Sequence, residues 1–175
     1  MFVVYGMPRS GTTLVAQVLN AHSGLLVPDE TDFMVPAAHA FRLVEDPDLG
    51  RRLLGDLIAS TDRFDATLGR WLTADRVRQV VADAPYRFDS IVASLYDALA
   101  EAAAVTSAGD KSPNDLPQSE ILGQAGFFTE RIRAIHLVRS VFWCSSGSSP
   151  GILYSLAPVD VWTCPTAVLR RCTTV

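Results

Sequence analysis

The spacing of apolar positions changes several times along the chain, and each change predicts an element. Residues 1–6, MFVVYG, form a short branched and aromatic run ended by Gly6, which predicts a buried strand. From Gly11 to His22 the apolar positions Leu14, Val15, Val18 and Leu19 recur at helical spacing, with Gly24 as a stop. Strand, loop and helix in that order make the first half of a parallel βαβ unit. The middle of the chain reads as helical. Residues 48–60 (DLGRRLLGDLIAS), 73–84 (TADRVRQVVADA, with Thr73 as cap) and 88–105 (FDSIVASLYDALAEAAAV) each carry the pattern. In the last of these, Asp89 is a second candidate cap, for a face of Ile91, Val92, Leu95 and Leu99. Residues 107–117, SAGDKSPNDLP, break the period with Gly, Asp and two prolines and predict a loop. A short helix follows over 118–126, then a strand over IRAIHLV that leads to Arg139.

Composition narrows the class. A chain of 175 residues with 49% hydrophobic and 19% charged positions fits a soluble globular protein better than a disordered one. Its net charge of −4 argues against nucleic acid or a membrane surface as partner, since both usually select a basic excess. A polyanionic ligand must therefore be gripped by local donors. No apolar run approaches the roughly 20 residues that span a bilayer, and the start lacks a signal-peptide pattern, so the expected compartment is the cytoplasm. Cys144, Cys164 and Cys172 form no CxxC pair, and His22, His39 and His136 lack metal-ligand spacing, so no metal is expected.

The chemistry is concentrated after the first strand. Gly6, four residues and Gly11 match the frame of a Walker A loop, but Thr12 stands where its lysine belongs. Without that lysine the ATPase or GTPase reading weakens. The general anion grip remains: backbone N–H groups of Ser10, Gly11, Thr12 and Thr13 open a helix, three hydroxyls add donors, and Arg9 adds a permanent cation.

The stretch PRSGTTL resembles the 5′-phosphosulfate loop of sulfotransferases that use 3′-phosphoadenosine 5′-phosphosulfate as donor. NAHSGLLVPDET resembles the segment after the first helix in the tyrosylprotein and related bacterial members, where a Glu followed by Thr supplies the catalytic base; here these are Glu30 and Thr31. GDKSP resembles the lysine loop and places Lys111 near the transferring group. IRAIHLVRS resembles the strand whose terminal Arg grips the 3′-phosphate, which makes Arg139 the candidate. The resemblance implies a P-loop-containing nucleoside triphosphate hydrolase-like fold, a three-layer α/β/α arrangement with a short parallel sheet and a helical middle section. It implies Arg9, Ser10, Gly11, Thr12, Thr13 and Arg139 as donor-binding residues, and Glu30, Lys111 and Arg9 as catalytic ones. The implied partner is a hydroxyl-bearing acceptor: a small molecule, glycan, lipid or peptide. For Glu30 to act as base, partial burial beside Leu25, Leu26, Val27 and Phe33 is expected to raise its pKa. His22 is a competing base or, as a bland alternative, a helix-end residue satisfied by hydrogen bonding.

The resemblance covers residues 1–140 and stops there. In the family a serine eight residues beyond the arginine helps hold the 3′-phosphate, whereas position 147 is Gly, flanked by Ser146 and Ser148. Residues 141–175 hold every cysteine and lack Lys and Glu, so the expected organisation is a domain over 1–140 and an atypical, truncated or frame-shifted tail over 141–175. Two alternatives to the transferase stay open on the same loop. One is a P-loop kinase for a small molecule, with Thr13 meeting Mg²⁺; the other is a non-catalytic nucleotide-binding remnant.

Overall fold

A computed structural model describes residues 1–7 and 10–137. Among them the elements run β1 (Phe2–Gly6), α1 (Thr12–Asn20), β2 (Leu25–Leu26), α2 (Met34–Leu43) and α3 (Pro47–Ala59). These are followed by α4 (Ala74–Asp83), α5 (Phe88–Ala102), β3 (Ser107–Asp110), α6 (Ser119–Gln124) and β4 (Arg133–Leu137). The four strands form one parallel sheet in the order β2-β3-β1-β4. Central β1 is buried at every position, which explains its unbroken apolar run. Its side chains alternate between two layers. Phe2 and Val4 pack with Ala16 of α1 and with Val27, while Val3 and Tyr5 face the main core built from α2 to α6. Helices therefore cover both faces of the sheet, as the α/β/α reading expects.

The helix signals translate into caps. Asp46 accepts from the N–H groups of Asp48 and Leu49 at 2.9 and 2.8 Å, with Pro47 in the first turn of α3. Thr73 caps α4 by accepting from Arg76 N–H at 3.2 Å. α5 is the central helix: Ile91, Val92, Leu95, Tyr96 and Leu99 are all buried, and even Asp89 and Ser90 are out of solvent.

Several expectations are corrected. Asp89 is not a cap, since α5 already begins at Phe88. Its buried carboxylate accepts from Arg87 and from Thr129 Oγ1 at 3.0 Å, tying the start of α5 to the loop before β4. The segment expected as one loop over 107–117 contains β3 and a 3₁₀ turn over Pro113–Gln118. Ser, Ala, Gly and Asp carry little strand propensity, but their small size lets the Phe2 ring lie across Gly109. In α1 the packed positions are Thr12, Ala16, Val15 and Leu19; Leu14 and Val18 are exposed among the described residues. The expected tail over 141–175 lies outside the described residues, as does Arg139. No helix among the described residues is long and apolar enough to cross a membrane.

Removing the α4 cap with Thr73→Ala should lower stability by about 1 kcal/mol. Chemical denaturation of the two proteins reads this directly as a shifted midpoint with an unchanged slope.

Candidate functional site

All four strands point the same way, so the segments leaving β1, β2 and β3 emerge at one edge of the sheet, where open α/β sheets bind ligands. The loop after β1 is built on close approach. A Cβ at Gly6 would collide with Ser10 Oγ and lie 2.9 Å from Thr12 Cγ2. Gly11, at φ 102°, provides the left-handed turn from which α1 starts. Among the described residues no side chain caps that helix start. The Ser10 N–H, expected to face the anion, instead donates to the Met7 carbonyl at 2.9 Å. Ser10 Oγ is buried without a hydrogen-bond partner among the described residues. Thr12 is buried and Thr13 exposed. Arg9 lies outside the described residues.

The segment after β2 is positioned by Asn20, at the end of α1. Its Nδ2 donates to the Val27 carbonyl at 2.8 Å and its Oδ1 accepts from Val27 N–H at 2.7 Å. The chain then reaches Glu30, and Lys111 Nζ donates to Glu30 Oε1 at 2.8 Å across 81 positions of sequence. Lys111 is only 5% exposed, so it is not a solvated loop lysine. Arg63, from the turn after α3, approaches Glu30 Oε2 at 3.4 Å and Asp32 at 3.6 Å. Sequence reasoning did not find Arg63, because nothing in STDRFD marks it out.

These cations reverse the expectation for Glu30. The hydrogen bond from Lys111 holds its carboxyl below the ordinary value, outweighing the upward push of partial burial, and Arg63 adds to the lowering. Of the apolar residues expected beside it, Val27 packs with the α1 layer and Phe33 with the main core. His22 Nδ1 accepts from Gly24 N–H at 3.0 Å and so closes the turn after α1.

Beneath the ion pair lies a buried polar layer. Asp110 accepts on one oxygen from Thr31 Oγ1 at 2.7 Å and from Tyr96 OH at 2.6 Å. Burial raises the Asp110 pKa, and these hydrogen bonds oppose the rise. Asp115, in the 3₁₀ turn, is 4% exposed, and its Oδ2 lacks a partner among the described residues. Burial, then the charges of Asp110 and Asp32, push its carboxyl up to about 8. Among the described residues no group of His, Cys, Asp or Glu is placed to hold a metal ion.

Comparison with known proteins gives the chain a family. Residues 2–146 match the Sulfotransferase family, and the chain belongs to it. Among solved structures, it is similar to the sulfotransferase domain from the Synechococcus PCC 7002 olefin synthase, with 25% identity and a TM-score of 0.44. That match covers 79% of this chain and 48% of the other, so the chain spans about half the length of that relative. No curated protein matches.

Asp115 gives a pH prediction with a definite sign. The folded chain keeps a proton that the unfolded chain releases in the ordinary carboxylate range. Stability from this group is full at acid pH and is lost as pH rises toward about 8. Asp115→Asn stays neutral throughout, so its melting temperature should fall less than the parent's between pH 5 and 8. Parallel profiles by calorimetry would refute the assignment.

Proposed function

We propose that this chain transfers a sulfuryl group from 3′-phosphoadenosine 5′-phosphosulfate to an acceptor hydroxyl. The observation that carries the reading is the 2.8 Å contact of Lys111 with Glu30, two residues from distant segments meeting at the edge from which the phosphate-type loop also departs. The loop is suited to an anion. It offers an uncapped helix start after a left-handed glycine and a buried serine hydroxyl without a partner among the described residues. Ser10, Gly11, Thr12 and Thr13 would hold the 5′-phosphosulfate, with Arg9 and Arg139 as the further cations assigned from sequence.

Such a donor supplies an already activated sulfuryl group and its own leaving group. What the protein must add is alignment and charge stabilisation. Lys111 has three N–H donors, so it keeps one on Glu30 and has others for an anion at this edge. Burial of its stem fixes the direction of the ammonium. Glu30 is ionised at neutral pH, which is the form that accepts a proton from a hydroxyl. Pairing with Lys111 reduces its basicity, and any move of Lys111 toward an anion restores it. Arg63 holds the second Glu30 oxygen, so the carboxylate is oriented from both sides.

Calorimetric titration with 3′-phosphoadenosine 5′-phosphate, against adenosine 5′-monophosphate and ATP, tests the donor site. Clear preference for the bisphosphate is expected; preference for ATP with Mg²⁺-dependent turnover would instead identify a kinase. Arg9→Ala should weaken both binding and turnover. Glu30→Gln should leave bisphosphate affinity within about twofold and lower kcat by about 100-fold or more, the usual scale for a lost general base. Equal loss of binding in the two variants would overturn this division of roles. The acid limb of kcat/KM should lie below the ordinary carboxylate range, following the lowered Glu30 pKa, and should vanish in Glu30→Gln.

A further inference from the structure

The β2–β3 ladder ends at Leu26↔Ala108. Beyond the ladder their connection passes to side chains. Glu30 meets Lys111, and one residue further on Thr31 Oγ1 donates to Asp110 Oδ1 at 2.7 Å. Tyr96 of α5 donates to the same oxygen at 2.6 Å. The Tyr96 ring is itself held by Phe33, stacked at 6.4 Å between centroids and 24° between planes. Asp110, Thr31 and Tyr96 are at most 1% exposed, so none of them reaches a bound substrate.

A buried carboxylate is an expensive way to stabilise a fold, because desolvation consumes most of what its hydrogen bonds return. Its position here is informative. It joins the neighbour of Glu30 to the neighbour of Lys111, and both to the central helix. We propose that the Asp110–Thr31–Tyr96 junction is a positioning device that sets Glu30 against Lys111, acting through those two residues without touching substrate. The proposal rests on the reading of Glu30 and Lys111 given above.

Thr31→Val keeps the side-chain shape and removes the hydroxyl; Tyr96→Phe keeps the stack and removes the second donor. The first readout does not need turnover. Carboxyl-carbon NMR titration of Glu30 should give a midpoint below the ordinary value in the parent chain and a higher one in either variant, as the Lys111 contact loosens. An unchanged midpoint in both folded variants would overturn the proposal, as would loss of the fold in both, which would make the junction a stability element.

The second readout is kinetic. Thr31→Val should lower kcat by up to about 100-fold, the cost of a small misplacement, with donor KM unchanged. In a Glu30→Gln background it should cost nothing further, and Thr31→Ser should restore the rate. Equal losses in both backgrounds would show that the hydroxyl does not act through Glu30 and would overturn the proposal. Absence of sulfuryl transfer by the parent chain would overturn the function proposed above, while the titration would still decide the positioning role.

Discussion

A carboxylate removed from water has to find donors, and around Asp110 that requirement organises the structure. Its oxygen takes one hydrogen bond from the segment after β2 and another from the central helix, while its backbone lies in β3. Three separate segments, one of them 79 positions away, thus converge on one atom. The surrounding apolar packing supplies most of the stabilising free energy, but it is tolerant of small shifts. Hydrogen bonds of 2.6 and 2.7 Å are not. The core therefore sets the approximate fold, and the buried polar layer sets the arrangement at the edge above it.

The charge pattern at that edge follows from the chain's acidic balance. With a net charge of −4, the molecule as a whole does not draw in a polyanion. Lys111 and Arg63 provide local positive charge, and Glu30 and Asp32 neutralise it. Such internal pairing keeps a nearly buried ammonium from being left without a counter-charge. It also makes the basicity of Glu30 depend on where Lys111 directs its hydrogen bonds.

Much of this was legible from residue patterns, because strong periodicity and capping are local. β1, the start of α1, the Thr73 helix start and the strand over 133–137 all follow from runs of a few residues, whereas the Asp46 cap of α3 lies just before the run read as helical. β3 was not legible. It is a strand because Phe2 needs small neighbours and β1 needs a partner on that side, neither of which is written in SAGD itself. The site divides along the same line. Glu30 and Lys111 were found through motif resemblance, whereas their contact, the lowered Glu30 pKa and the approach of Arg63 are products of tertiary placement. Asp89 misled because an acidic residue near a helix start suits a cap and a buried, hydrogen-bonded carboxylate equally well, and its partner Thr129 lies 40 positions away, beyond any local pattern.

The turn that carries Arg63 has a consequence for how this domain can diversify. α3 and α4 pack chiefly on each other, with α2 and α5 as their links to the remaining structure. A helical pair attached in this way can exchange its outer side chains with little disturbance to the sheet. Arg63 is the point at which it reaches the ion pair, sharing a carboxylate oxygen with nothing else described there. A change in the turn between these helices would therefore alter the charge facing Glu30 through this one side chain.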